Sequence, residues 1–345
     1  FKLDKNVIVH GWVSEAKKEE ILMQTDFYLL PSDGEGFGLS FIEAASYGAT
    51  VLGSISDGSR EALLFGKFGF LIDPKDKEIS TKIADIIINN KKINVNQREL
   101  NERYSFKIFN KKIIHCLNKL ESETIDIFRF DNKKNRIQSI NNVAEGLATT
   151  LYWKTKYNVN FEYQRTNKNN FINIYSKYIS TFIVVLLSNF KKRKITIFSD
   201  QGLSIYKLMF FRKSLLFCHD VLNLLIIKNI INVDFKIKNK FIYKLILYAL
   251  NKNDIIYSSL TTKKNLKDLK IADNKIIKLI YPIYHLLHED NIISSNILSD
   301  KYNFKENKYS ILIITSNTWY KRDDQLYDLI KSIRNNKIIF NIISL

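Results

Sequence analysis

A glycine-rich stretch between an apolar run and a helix-like segment constrains the fold of this chain more than any other feature. Residues 27–30 are an apolar run typical of a buried strand. The next apolar positions have the spacing of one helix face and are Leu39, Ile42, Ala45 and Ser46. Three glycines lie within positions 34–38, so that a ligand can approach the backbone without a Cβ in the way. The stretch therefore predicts a strand, a ligand-contacting loop and a helix.

The same stretch has a chemical signature. A helix that starts at Leu39 would direct its first N–H groups and its positive dipole end toward the loop, which favours a bound phosphate. Two carboxylates flank this place: Glu35 lies in the loop and Glu43 about one turn into the helix. Carboxylates repel phosphate but accept hydrogen bonds from sugar hydroxyls. The stretch therefore predicts a site for a sugar attached to a diphosphate.

Strand-like and helix-like segments alternate along most of the chain. The predicted strands lie at residues 7–10, 27–30, 50–53, 69–72, 125–128, 159–163, 194–198, 214–218, 254–257, 275–280, 309–315 and 337–344. The predicted helices lie at residues 15–24, 39–47, 59–65, 79–89, 106–120, 137–154, 172–190, 206–211, 241–250, 261–269 and 323–335. Alternation with short connections predicts the α/β class, with doubly wound parallel sheets covered by helices on both faces.

Composition narrows the classes of protein. A length of 345 residues predicts two or three domains. The net charge is +18, which either reflects a bias toward Lys, Asn and Ile along the whole chain or favours an acidic partner such as anionic lipid or a nucleotide. We expect no nucleic-acid partner, because the basic residues are scattered and no DNA- or RNA-binding motif is present.

The cysteines and the apolar segments of the chain bear on where in the cell the protein is located. Cys116 and Cys218 lie far apart, so we expect no disulfide framework and a reducing compartment, and no Cys/His cluster has the spacing of a zinc site. No segment reaches the ~18 apolar residues that a membrane span needs, and residues 178–188 come nearest. We therefore expect a cytoplasmic protein, with peripheral contact at the inner face of the membrane as an option. The chain begins with Phe1 almost inside a strand, and we interpret it as an excerpt of a longer polypeptide.

Residues 31–44 carry the pattern Pro-Ser-x-x-Glu-Gly-Phe-Gly-Leu-x-x-x-Glu-Ala, which contains Glu-x7-Glu. The neighbouring positions that fit the same pattern are Gly11, Gly48, Val51, Gly58, Glu61, Gly66, Gly69, Asp73 and Pro74. Together they closely resemble the C-terminal half-site of retaining GT-B glycosyltransferases of glycosyltransferase family 4, also called glycosyl transferases group 1. The resemblance covers residues 5–120. An ordinary strand–turn–helix is the alternative, but it leaves two acidic residues beside three glycines unexplained.

The resemblance implies roles for residues of the stretch. Glu35 would accept hydrogen bonds from the hydroxyls of the donor sugar, and Glu43 would hold the ribose hydroxyls of the nucleotide. The backbone amides that would face sugar and diphosphate belong to Gly36, Phe37, Gly38 and Leu39. The family's chemistry implies a nucleotide sugar as substrate, no cofactor and no metal.

A second α/β unit resembles the acceptor-side, N-terminal domain of the same family. Its best match is the strand 214–218 followed by His219 and Asp220. In the family this histidine reaches the donor sugar, and a residue at the carboxyl end of a strand faces the ligand crevice of an open sheet. His219 could donate a hydrogen bond to a sugar oxygen, or it is a solvent-facing loop residue. The pair Asp200-Gln201 resembles a family pair that ends a neighbouring strand but is equally well explained as a loop cap. Residues 131–135 replace the family's usual glycine-rich loop, which leaves acceptor recognition open.

The last segment resembles the first strand–helix unit of a family C-terminal domain. There a basic residue after the strand clamps the donor diphosphate. Lys321 or Arg322 could serve after the strand 309–315, and we prefer Lys321. A surface Lys-Arg pair is the alternative.

The matches occur out of the family's order. The simplest explanation is an excerpt of tandem glycosyltransferases, with a donor domain at 1–120, an acceptor-side domain at 121–305 and the start of a further donor domain at 306–345. The alternative is a chain whose residues 309–345 complete the sheet of residues 1–120, as in a circular permutant. Whether residues 309–315 run parallel and adjacent to a strand of the first unit decides between them.

The resemblance implies a function. We expect a hexosyltransferase that moves a sugar from a nucleotide sugar to a glycan or lipid-linked acceptor with retention, in bacterial-type surface polysaccharide synthesis. A non-catalytic GT-B-like scaffold or binding module is the alternative. Nucleotide-sugar binding distinguishes the two.

Overall fold

The computed structural model of the chain forms two compact units. Residues Phe1–Arg103 and His288–Leu345 make up the first unit, and Tyr104–Leu287 make up the second. The structure describes residues 6–30, 32–118, 124–131, 158–165, 183, 195–209, 214–231, 240–273, 276–278, 309–315, 328–331, 333 and 338–344. The predicted helices at 137–154 and 172–190, like Lys321 and Arg322, lie outside the described residues, apart from residue 183.

Each unit has a parallel sheet. The strands are β1 (Val7–Gly11), β2 (Phe27–Leu29), β3 (Thr50–Ser54), β4 (Phe70–Ile72), β5 (Thr124–Asp131), β6 (Asn158–Arg165), β7 (Ile195–Phe198), β8 (Ser214–Cys218), β9 (Asp254–Tyr257), β10 (Ile276–Lys278), β11 (Tyr309–Thr315) and β12 (Ile338–Ser344). The helices are α1 (Glu15–Met23), α2 (Leu39–Ser46), α3 (Ser59–Ala62), α4 (Ile79–Ile88), α5 (Gln97–Tyr104), α6 (Phe106–Asn118), α7 (Leu222–Ile227), α8 (Lys240–Leu250) and α9 (Leu260–Asp268). Short 3₁₀ segments cover Leu64–Gly66 and Gln201–Met209.

The first sheet has the order β1-β12-β11-β2-β3-β4, and every neighbouring pair is parallel. β11 therefore lies in the middle of the sheet, where Ile313 pairs with Leu29 of β2 and with Ile342 of β12. This placement differs from the expectation that residues 306–345 begin a separate donor domain and matches the single-sheet alternative. The physical reason is burial: Ile311, Leu312 and Ile313 are all fully buried, as expected for a central strand of a parallel sheet that is covered on both faces.

The strand order identifies the ligand-binding edge of the first sheet. When the strands are counted from β11 through β12 and then from β1 to β4, the order reads 3-2-1-4-5-6, the dinucleotide-binding order of Rossmann sheets. Strands β11, β12 and β1 extend to one side, and β2, β3 and β4 extend to the other. The order therefore reverses between β11 and β2, and ligands of open α/β sheets bind at the carboxyl ends of strands at such a reversal.

A continuous core supports this edge. Its buried residues come from the middle strands and from the helices that pack on them: Phe27, Leu29, Leu52, Ile72, Ile79, Ile83, Ala84, Ile87, Ile311, Ile313, Leu329, Ile333, Ile338 and Phe340. Asp26 joins β2 to β11, because its Oδ2 accepts a hydrogen bond from the Ser310 backbone N–H at 2.9 Å. The start of β11 is therefore fixed against β2 by a side chain as well as by the sheet ladder.

The second sheet has the order β10-β9-β8-β7-β5-β6 and is also parallel throughout. Counted from β5 its order is 2-1-3-4-5-6, the flavodoxin-like arrangement with one further strand. The predicted fold class, α/β with Rossmann-like parallel sheets in two domains, is confirmed. Within the described part of the chain, no helix combines the length and apolar character that a membrane crossing requires.

Candidate functional site

The loop between β2 and α2 is held in shape by contacts among its own residues and by its backbone conformation. Ser32 is fully buried, and its Oγ accepts a hydrogen bond from the Gly34 N–H at 3.1 Å. Gly38 precedes α2 with φ 81° and ψ 68°, a left-handed conformation that favours glycine. A Cβ at Gly38 would also lie 2.3 Å from the ring of Phe41. The loop therefore reaches the helix start by a turn that a larger residue would disrupt.

A second loop ties down the backbone of Glu35. The Glu35 N–H donates to Oδ2 of Asp57 at 2.9 Å, and the Glu35 carbonyl accepts from the Gly58 N–H at 2.9 Å. The contact is close, because a Cβ added at Gly58 would lie 2.0 Å from the carbonyl oxygen of Gly36. Residues 57–58, between β3 and α3, thus fix where the Glu35 side chain starts.

Asp57 is itself almost fully buried. Its Oδ1 accepts hydrogen bonds from the Ser59 N–H at 2.9 Å and from the Ser59 hydroxyl at 2.5 Å. Burial is the main cause that raises the pKa of Asp57 to about 6, although its hydrogen bonds favour the charged form, and the charge of Glu35 adds to the rise. Glu35 and Asp57 are therefore electrostatically coupled.

The raised pKa makes stability depend on pH. The pKa of Asp57 is about 6 in the native state and 3.8 in the unfolded chain, so the native state keeps this proton to a higher pH. Stability due to Asp57 therefore falls as pH rises through this window, by about 3 kcal/mol in total. We expect the unfolding free energy of wild type minus that of Asp57→Asn, measured by urea titration, to decrease from pH 4 to pH 6 and then level off. A difference that does not change with pH would contradict the raised pKa.

Glu43 lies on α2 and pairs with a lysine of α1. Lys18 Nζ is 3.1 Å from Oε2 of Glu43 and 2.9 Å from Oε2 of Glu15. The side chain of Glu43 is 14% exposed and that of Lys18 20% exposed. Nearby, the Tyr47 hydroxyl donates to Oε1 of Glu19 at 2.6 Å. The α1–α2 contact is therefore an acidic cluster with Lys18 inside it.

The charges of Glu35 and Glu43 both affect the pKa of one buried hydroxyl, that of Tyr28. Tyr28 of β2 is fully buried, with its ring edge-on to Phe41 at 5.5 Å between centroids. Burial is the main cause that raises the pKa of Tyr28, and the negative charges of Glu35 and Glu43 contribute. The two carboxylates that the sequence singles out thus act electrostatically on the same buried tyrosine of β2.

The end of β11 lies at the same edge as this loop. The pairing of Ile313 with Leu29 brings Thr315, the last residue of β11, beside the start of the loop that follows β2. Lys321 and Arg322 follow β11 in sequence and lie outside the described residues. Their assignment as diphosphate ligands stays a prediction. The strand that precedes them, β11, is adjacent to β2.

His219 lies in the second unit, directly after β8. Its Nε2 is 2.9 Å from the Ser199 carbonyl oxygen, and its backbone N–H donates to the Gln201 side chain at 3.2 Å. A carbonyl only accepts, so Nε2 carries the proton, and burial lowers the pKa of the ring. In the neutral ring Nδ1 is then an acceptor, whereas the predicted role was that of a donor.

Two neighbouring residues have structural roles. Asp200 Oδ1 accepts a hydrogen bond from the Gly202 N–H at 2.7 Å. Asp200 therefore caps the loop, which is the structural alternative that the sequence offered for it. Ser259 is the N-cap of α9 and accepts from the Thr262 N–H at 3.0 Å. Glu35 and His219 lie in different units, and their roles stay predictions.

Sequence reasoning did not find Asp57 or Lys18. Both contact predicted site residues from elements distant in sequence, and only the neighbouring Gly58 belonged to the recognised pattern. The Asp-Gly-Ser order of residues 57–59 is a turn signal, and this signal could have drawn attention to Asp57. Lys18 lies in a run of charged residues with no distinguishing spacing.

Comparison with known proteins gives a family match for the first part of the chain. Residues 1–104 match the family model described as "Glycosyl transferases group 1". The matched region contains Glu35, Glu43, Lys18 and residues 57–58. It does not contain His219 or Lys321. The resemblance predicted from the motifs is confirmed at this level.

Curated proteins from several organisms share sequence with the chain. An alpha-1,3/1,6-mannosyltransferase of Dictyostelium discoideum is 27% identical over 124 residues, which are 35% of this chain and 30% of the relative. Sucrose synthase 5 of Arabidopsis thaliana is 31% identical over 119 residues, 32% of this chain and 14% of the relative. An uncharacterized 41.2 kDa protein in the cps region of Klebsiella pneumoniae is 32% identical over 85 residues, 24% of each chain.

The chain thus spans less than a third of the length of these relatives. Sequence similarity and strand order both concern the first unit, where the β2–α2 loop lies at the reversal of the sheet order. Residues 1–104, which hold this loop, are therefore the part of the chain that is similar to the Glycosyl transferases group 1 family.

Proposed function

We propose that this protein is a hexosyltransferase that uses a nucleotide sugar and transfers the sugar, with retention at the anomeric carbon, to a glycan or lipid-linked acceptor. The observation that carries the proposal is the position of Glu35. It lies in a glycine-rich loop fixed from both sides, at the reversal of the first sheet's strand order. Open α/β sheets bind nucleotides at this place.

The chemistry follows from the residues around the loop. The first amides of α2 and its positive dipole end would stabilise the charge that develops on the leaving diphosphate. Lys321 or Arg322 would add a cation on the β11 side. Glu35 would orient the sugar through its hydroxyls, and Glu43 would hold the ribose. With these groups on the diphosphate, no step requires a metal.

For His219 we propose the role that the resemblance implies, a hydrogen bond to an oxygen of the donor sugar. In the second unit its Nε2 is 2.9 Å from the Ser199 carbonyl oxygen, a contact that fixes the orientation of the ring.

The proposed setting is surface polysaccharide synthesis at the inner face of the membrane. A relative comes from the cps region of Klebsiella pneumoniae. The net charge of +18 would favour contact between the protein and anionic lipid around a lipid-linked acceptor.

Nucleotide-sugar binding tests the proposal. We expect UDP-, GDP- or ADP-linked glucose or mannose to bind the full chain in a calorimetric titration. Glu43→Ala should weaken this binding about tenfold, because the ribose loses a charged hydrogen-bond acceptor. The matched control is Glu102→Ala, since Glu102 is 66% exposed and pairs only at the surface with Arg98. A chain that binds none of these donors would instead be the non-catalytic scaffold.

A further inference from the structure

The contact between α1 and α2 contains a lysine to which the proposed mechanism gives no role. Lys18 Nζ lies between two carboxylates, 3.1 Å from Glu43 and 2.9 Å from Glu15. Lys17, the residue before it on α1, makes an ordinary surface pair with Glu20, in which the side chains are 44% and 46% exposed. The two adjacent lysines thus make different contacts, and only that of Lys18 reaches the site.

We propose that Lys18 is a positioning residue that holds the Glu43 carboxylate in place for the two ribose hydroxyls of a nucleotide. The inference rests on the proposed function, because it assigns a support to the residue that would bind the ribose. Lys18 engages Oε2 of Glu43, so the carboxylate is fixed at one oxygen while it remains an acceptor.

The electrostatics of the α1–α2 contact explain why Glu43 needs a cation. Burial alone would lower the pKa of Lys18, but the charges of Glu43 and Glu15 outweigh it and raise that pKa, so the lysine stays protonated. Glu15 and Glu19 lie on the same face, and their charges, together with that of Glu43, act on Tyr47. Without Lys18, Glu43 would be a largely buried carboxylate among like charges.

A bound diphosphate increases this need. It brings further negative charge to the loop next to Glu43, and like charges at short range repel each other, which favours movement of the carboxylate away from the ligand. A displaced Glu43 no longer accepts hydrogen bonds from the 2′- and 3′-hydroxyls. Lys18 therefore affects how well the protein distinguishes a ribonucleotide from its 2′-deoxy form.

Nucleotide titration of the full chain tests the inference. The probes are UDP, GDP and ADP, and whichever binds is compared with its 2′-deoxy form. We expect Lys18→Met to weaken binding of the ribonucleotide about tenfold and to change binding of the deoxynucleotide much less, so that the ratio of the two affinities falls. Lys18→Arg should restore most of the ratio, and Lys17→Met, the matched control, should leave both affinities unchanged.

A double-mutant cycle shows whether Lys18 acts through Glu43. In a Glu43→Gln background we expect Lys18→Met to have little further effect, because the carboxylate it supports is gone. Equal weakening of both nucleotides by Lys18→Met, or no effect on either, would overturn the inference while the proposed function stands. Wild-type protein that binds none of the three nucleotides would overturn both.

Discussion

Replacement of Glu35 by alanine should lower the rate of sugar transfer by at least about 10²-fold, while the fold stays intact. The loss of rate follows from the proposed role of Glu35, since its carboxylate would orient the donor sugar at the reacting carbon. A charged hydrogen-bond partner that acts in the transition state contributes about 3 kcal/mol.

The fold should survive because residue 35 is held through its backbone. Its N–H donates to Asp57, and its carbonyl accepts from the Gly58 N–H, and both contacts remain in the alanine variant. The measurement is release of the nucleoside diphosphate from the nucleotide sugar that binds, together with a urea unfolding curve. Glu102→Ala serves as control. Wild-type turnover in the Glu35→Ala protein would refute the assignment of the site.

Gly58→Ala should displace the Glu35 loop and reduce both stability and transfer. The backbone of residue 58 has φ −67°, which alanine adopts readily, so the effect comes from contact alone. The new Cβ would lie 2.0 Å from the carbonyl oxygen of Gly36 and 2.9 Å from that of Glu35, both of them backbone atoms. The two loops must therefore separate.

Separation would lengthen the hydrogen bonds that fix Glu35. We expect a loss of about 1–3 kcal/mol in unfolding free energy, as in other overpacked sites. A shift of about 1 Å in the position of Glu35 would lower the rate about 10²-fold. Ser56→Ala is the matched control, because Ser56 is an exposed residue of the same loop. A Gly58→Ala protein with wild-type stability and turnover would show that the loops do not depend on each other.

The local structure of the candidate site follows from its sequence. The strand predicted at 27–30 is β2, Phe27–Leu29, and the helix predicted at 39–47 is α2, Leu39–Ser46. Apolar burial and helix-face spacing are properties of neighbouring residues, so they are visible without tertiary information. The placement of Glu35 in the loop and Glu43 on the helix follows directly from them.

Two helices were missed for different physical reasons. In α5, Gln97–Tyr104, Leu100 and Tyr104 are the buried positions among charged and amide residues, too few to show a period. In α7, Leu222–Ile227, nearly every residue is apolar, so a short run gives no indication of helix rather than strand. Both helices form because tertiary packing outweighs a weak local signal.

The sequence by itself determined the strand–loop–helix unit of residues 27–47, its two carboxylates and the similarity of this region to Glycosyl transferases group 1. Only the tertiary structure decided that β11 lies between β12 and β2, that Asp57 and Gly58 bond to the backbone of Glu35, and that Lys18 pairs with Glu43. Pairing of parallel strands joins segments far apart in the chain, and a buried strand such as β11 shows no preference among its possible neighbours. The local structure of the Glu35 loop can therefore be predicted from neighbouring residues. The contacts that fix the loop join residues far apart in the sequence, so they are seen only in the folded chain.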